Sequence, residues 1–124
     1  MKPLTPTTHA ALDYTLGATL LTAPHLLRLT RGARAFFGAF GAVAIGVNAL
    51  TDSPLGVRRV IPWRTHRAID LASDPVFAVL PVVTGIAKDP RARALWLAAS
   101  ATLAAAVVLT DWEAGCAPVG SPAT

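Results

Sequence analysis

The sequence predicts an all-α membrane protein, four transmembrane helices arranged as two parallel two-helix repeats. The first observation behind this is a duplication. Thr8-His9-Ala10-Ala11-Leu12-Asp13 returns as Thr65-His66-Arg67-Ala68-Ile69-Asp70, 57 residues later, and Pro24 recurs at the same offset as Pro81. Leu50-Thr51-Asp52 with Gly56 returns as Leu109-Thr110-Asp111 with Gly115, 59 residues later. The second observation is composition. Of 124 residues 53% are hydrophobic and only 15% charged, against ~25% charged in soluble domains. The third is segmentation into four apolar stretches separated by charged, Pro- or Gly-containing connectors.

Two copies of this length are too small to be separate domains, so the chain is one membrane domain. Repeat one covers about 8–56 and repeat two about 65–115, with 116–124 as a flexible tail. The net charge of +4 does not indicate nucleic acid, because the basic residues sit in short clusters between long uncharged runs, as in membrane loops. The single cysteine, Cys116, has no partner for an intrachain disulfide or a CxxC metal motif. Asp13 and Pro24 in the first apolar stretch argue against a cleavable signal peptide.

The first span is expected at about 9–27. Its uncharged part, Tyr14 to Leu27, is short, and the preceding His-x-x-x-Asp turn brings it to spanning length. Thr8 is the expected N-cap, and Pro24 ends or kinks the helix. The second span, about 33–51, contains the uncharged run Ala35 to Thr51, studded with Ala35, Gly38, Gly41, Ala42 and Gly46. The third, about 66–87, repeats the first, with Thr65 as N-cap and Pro81 near its end. The fourth, about 92–111, contains the uncharged run Ala94 to Thr110 with Ala94, Ala98, Ala101 and Ala105. Small residues at such spacing let helix backbones approach closely in lipid. Helix is the state expected, since backbone polar groups in lipid must pair internally and four segments cannot close a barrel.

Two helices per repeat return the chain to its starting side, so the repeats are parallel and both termini share a face with the central loop. That face carries Lys2, Arg58, Arg59, Arg64 and Arg67; the other carries Arg28, Arg31, Arg34, Lys88, Arg91 and Arg93. Five against six sets no orientation under the positive-inside rule.

This topology delivers every duplicated polar residue to one face. His9 with Asp13, and His66 with Asp70, are i,i+4 pairs on single helix faces. Asp52 and Asp111 lie at the C-terminal ends of the second and fourth spans, where the helix dipole disfavours negative charge. They therefore call for partners: His9 with Asp52 and His66 with Asp111, crosswise pairs through the bundle axis, or Arg58 and Arg59. Asp52, before Ser53-Pro54, also reads as the cap of a short interfacial helix.

Asp74 is the unrepeated element, with Gly17 at the equivalent position. It continues the His66, Asp70 stripe as a buried acid facing the bundle interior, or else Ser73-Asp74-Pro75 caps a shorter helix. The candidate polar cluster is thus His9, Asp13, Asp52, His66, Asp70, Asp74 and Asp111. It admits three readings: a hydrogen-bonded network fixing helix ends, a proton or ion path, and a divalent-metal site. Trp63, Trp96 and Trp112 fall near helix ends, as interfacial belts do; Tyr14 and His25 also read as interfacial.

The duplicated His-x-x-x-Asp and Leu-Thr-Asp phrases resemble the bacterial SPW-repeat integral membrane proteins over about Thr8 to Gly115. That family has two copies of a two-helix unit, each opening with His-x-x-x-Asp and carrying a Pro-Trp step. Here Pro24 and Pro81 are followed by His25 and Val82, and no Ser precedes either. A vaguer resemblance is to DoxX-like four-helix membrane proteins. The resemblance implies a multi-pass protein of the bacterial inner membrane. With no nucleophile–base pair, phosphate loop or nucleotide fingerprint, the sequence reads as a non-enzyme with a structural or interaction role. The alternative is a proton- or ion-coupled transporter or channel component. No cofactor, metal or nucleic acid is expected; the partners are the lipid bilayer and a second copy or another membrane protein.

Overall fold

The computed structural model describes residues 2–114 and is all-α. Cys116 and the expected tail 116–124 lie outside the described residues. Four helices run in chain order: α1, Pro6–Leu26; α2, Arg31–Leu50; α3, Trp63–Val83; and α4, Pro90–Leu109.

The helix starts differ from the sequence expectation by up to three residues. Thr5, not Thr8, caps α1, its Oγ1 accepting the Thr8 N–H at 3.2 Å with Pro6 in the first turn. Thr65 does not cap α3 either. Pro62 precedes the helix, and the cap position makes no side-chain hydrogen bond. In repeat one Pro6 sits in the first turn, where its fixed φ fits and its missing N–H is no loss; in repeat two Pro62 holds the cap position extended, φ −60° and ψ 148°, and the helix starts after it. Thr30 caps α2 by accepting the Ala33 N–H at 3.2 Å. Asp89 caps α4 by accepting the Arg91 N–H at 2.9 Å, a bond that holds its carboxyl below the ordinary carboxylate range. α3 stops at Val83 rather than near 87 because Gly85 turns left-handed, φ 81°, into a 3-10 turn at Ile86–Lys88.

Pro24 and Pro81 lie within three residues of the ends of α1 and α3, inside the helices. Pro75 is also helical. Asp74 therefore sits within a continuous helix and does not cap a shorter one. Residues 51–62 form no interfacial helix after Asp52; they fold back on the end of α2, the Val57 N–H bonding Ala49 O at 2.7 Å and the Ile61 N–H bonding Leu50 O at 2.8 Å.

One end of the bundle repeats its own backbone pattern. Leu4 bridges to Thr110, and Ile61, 57 residues after Leu4, bridges to Thr51. The segment before α1 thus pairs with the end of α4, and the segment before α3 with the end of α2. Trp63 Nε1 donates to Trp112 O at 3.1 Å and ties the two corners together. Towards the opposite end, Phe37 and Phe77 are fully buried among Leu20, Leu29, Ala33, Ala92 and Ala99.

The closest helix contact is α1 on α2, through glycine. A Cβ on Gly17 would lie 2.6 Å from Ile45 Cγ1, and one on Gly41 would lie 2.6 Å from Gly17 O. Neither position has room for a side chain. Asn48 on α2 reinforces the contact, its Nδ2 donating to Ala10 O at 2.7 Å.

Among the described residues two helices, α2 and α4, are long and apolar enough to cross a membrane. α1 and α3, at 21 residues each, reach ~31 Å. Their composition falls short because their early turns hold the His and Asp of the duplicated phrase, and α3 adds Arg64, Arg67 and Asp74. Val43, Val79, Val83, Leu97 and Val108 are each more than half exposed on the outer faces.

Candidate functional site

Four of the seven sequence candidates converge. His9 and Asp13 from α1 meet His66 and Asp70 from α3, with one donor atom from each within 4.8 Å of the others. His9 Nε2 lies 3.3 Å from Asp13 Oδ2 and 3.4 Å from Asp70 Oδ2. His66 Nε2 lies 3.1 Å from Asp13 Oδ2 and 3.5 Å from Asp70 Oδ2. Each imidazole nitrogen therefore faces both carboxylates, one from its own helix and one from the other repeat. Both rings are buried.

The other nitrogen of each ring is held by a threonine. His9 Nδ1 lies 2.7 Å from Thr110 Oγ1, and His66 Nδ1 lies 2.7 Å from Thr51 Oγ1. Each hydroxyl donates to the carbonyl four residues back, Thr51 to Val47 O at 2.6 Å and Thr110 to Ala106 O at 2.5 Å. With its proton so committed, the hydroxyl accepts from the ring, which puts the imidazole proton on Nδ1. Nε2 then meets the carboxylates either as a second N–H, in a cationic ring, as in the His66 Nε2–Asp13 Oδ2 hydrogen bond of 3.1 Å, or as a lone pair with a cation between them.

His9 Nε2 is a buried nitrogen with no hydrogen-bond partner. It lies at ion-pair distance from two carboxylate oxygens but is aligned with neither. The nitrogen points between them, into the middle of the four-residue set.

Two tryptophans close the outer side. The Trp112 and Trp63 rings lie 4.9 and 5.5 Å from the His9 ring, edge-on, and 4.9 Å from each other. Both are buried. The expectation of belt residues is thus corrected for this pair, which packs inward on the histidines. Trp96 is half-buried, its Nε1 donating to Phe77 O at 3.2 Å. Tyr14 bonds Leu55 O at 2.9 Å, and His25 is exposed near the far end of α1.

Asp52 and Asp111 are not in the set. Asp52 is exposed; Asp111 is half-buried, its Oδ1 accepting the Ala114 N–H at 3.3 Å. The expected His9–Asp52 and His66–Asp111 pairs do not form. The pairing is crosswise between repeats, and the threonine of each Thr-Asp phrase supplies it. The reason is helical position: Thr51 and Thr110 directly follow the last turns of α2 and α4 and can bond inward, whereas the next residue turns away. Asp74 lies one turn deeper than Asp70, half-buried, with no hydrogen bond or ion pair among the described residues.

Sequence reasoning passed over Thr51, Thr110, Trp63, Trp112 and Asn48. The threonines carried a signal, since they are duplicated with the aspartates beside them. The tryptophans carried none of that kind: at the matching offsets stand Pro6 and Ser53.

The fold and site together define a four-helix protein with a buried two-histidine, two-aspartate cluster where its repeats meet. Compared with family profiles, curated proteins and solved structures, the chain gives no match.

Proposed function

We propose that this chain is a small four-span membrane protein, akin to the SPW-repeat proteins, whose two repeats are clamped at one membrane face by a divalent ion of the zinc type. The observation that carries the metal reading is the donor set around the unpartnered Nε2 of His9. Tetrahedral zinc with ligands at about 2.0–2.1 Å has ligand–ligand edges of about 3.3–3.4 Å. The four nitrogen–oxygen edges, 3.1 to 3.5 Å, bracket that value, and the nitrogen–nitrogen and oxygen–oxygen edges, within 4.8 Å, would draw in on the ion.

The surroundings support it. Thr51 and Thr110 fix the tautomer that leaves Nε2 free to ligate, as outer-shell partners of metal-bound histidines do. Two carboxylates balance a divalent charge, so the loaded site is neutral where isolated charge is costly. Four protein ligands with no open position describe a structural site rather than a catalytic one. The role is therefore non-enzymatic. The tryptophans buried against His9 favour a closed clamp over the proton- or ion-coupled path, which needs water to reach the imidazoles from that face.

Elemental analysis tests this on the full chain, purified in detergent without chelator and without a histidine tag. The expected result is about one zinc per chain, lost in His9→Ala and His66→Ala, with a lower Tm after chelation. A metal-free protein whose Tm ignores both chelator and added zinc would overturn the metal reading and leave a purely hydrogen-bonded anchor.

A further inference from the structure

Beside the cluster, towards the middle of the bundle, lies a cavity of about 250 Å³ bounded by all four helices. Leu20, Val47, Phe77 and Leu103 represent its walls; Asp13, His66, Asp70 and Asp74 form its polar end. Val43, 58% exposed, stands at its border, so the cavity opens on the outer face of α2.

Its acidic groups are not equivalent. Asp13 and Asp70 face the two imidazoles, and an ion or protonated histidine matches them in either case. Asp74 has no partner among the described residues, and neither Lys nor Arg lines the cavity. The equivalent position in repeat one is Gly17, where Ile45 leaves no space for a side chain. The carboxylate is therefore particular to the side of the bundle that has the cavity.

A carboxyl against apolar walls either takes up a proton or draws in a counter-charge, and a cation in the cavity favours the second. The Phe40 and Phe77 rings line the same space, and aromatic faces attract cations, quaternary ammonium above all. Anions meet three carboxylates there. A neutral guest would cover Asp74 without pairing it. At roughly 30 Å³ per water-sized group, the volume holds about eight such groups.

We infer that this cavity binds a small lipophilic monocation, its ammonium centre against Asp74 and its apolar body against Phe40 and Phe77. The inference stands on Asp74 and the cavity and does not need the cluster to hold zinc.

The test is benzyltrimethylammonium binding to the full chain in an uncharged detergent, followed by saturation-transfer NMR, with 3-phenylpropionate as the anionic control. Wild type and variants share one detergent, so micelle partitioning cancels. Asp74→Asn is expected to weaken the cation on the order of tenfold to a hundredfold. Asp74→Glu keeps the charge and keeps binding, and Ala44→Leu, which narrows the cavity, also weakens it. The propionate is expected to show no dependence on residue 74. Equal affinity in wild type and Asp74→Asn would overturn the inference, as would no binding to wild type or equal binding of the propionate. If Asp74→Asn does not fold, Ala44→Leu decides, and unchanged affinity there overturns it. Repeating the titration after chelation separates the two proposals. Cation binding that persists in a protein without zinc removes the clamp alone; zinc binding without cation binding removes this inference alone.

Discussion

At the scale of single residues, the threonines matter as much as the groups they hold. Thr51→Val and Thr110→Val keep the shape but remove the acceptor for an imidazole N–H buried at the site. Leaving that donor unpaired costs about 1–3 kcal/mol. Under the proposed zinc clamp, losing the hydroxyl that orients each ring is expected to weaken zinc by about 10–100-fold. Chelator competition with each variant measures this directly, and unchanged affinity in both would show that the rings are not oriented through Nδ1. His9, Asp13, His66 and Asp70 were legible in the sequence because duplication marks them and i,i+4 spacing fixes their faces. The choice between Thr and Asp in the second phrase was not legible, since charge drew the pairing argument to aspartate. Which of two adjacent residues points inward depends on where the helix stops, and that boundary is set by local geometry.

At the scale of helices, the two repeats use one plan and pack differently. The α1–α2 contact is closed by glycine, and Gly41→Ala would push a Cβ to 2.6 Å from the Gly17 carbonyl oxygen, a backbone atom that cannot swing away. We expect a loss of about 1–3 kcal/mol. Gly46→Ala, with nothing within 4 Å of its Cβ, should be neutral or gain up to ~1 kcal/mol from helix propensity. Thermal unfolding of both variants in one detergent checks the contrast; equal effects would mean that helix propensity, and not packing, governs these positions. Sequence spacing grouped Gly38, Gly41 and Gly46 together as small residues. It could not say which one faces a neighbouring backbone, because that depends on helix rotation. Four helices and their order were legible from apolar segmentation. Their starts were not, because threonines at 5, 8 and 65 all satisfy the cap pattern while Pro6 and Pro62 decide.

At the scale of the whole molecule, the arrangement of spans can be read by labelling. With Cys116 replaced by Ser, single cysteines at Lys2, Arg31, Arg58 and Lys88 report which side each segment occupies. Four spans put Lys2 with Arg58 on one side and Arg31 with Lys88 on the other. If only α2 and α4 cross, Lys2 shares a side with Arg31, and Arg58 with Lys88. An impermeant thiol reagent on sealed vesicles distinguishes the two patterns, and the second would overturn the four-span proposal.

The hydrogen bond from His9 to Thr110 joins residues 101 positions apart, and the Leu4 N–H to Leu109 carbonyl bond closes the same circle. During synthesis, His66 meets Thr51 once the third helix emerges, but His9 waits until the end of α4 has been made. A nascent chain stopped before Thr110 holds one oriented imidazole and one free to turn. An ion held as proposed would meet both oriented imidazoles only after the end of α4 has been made, so the contact that completes the cluster is also the one of longest sequence separation.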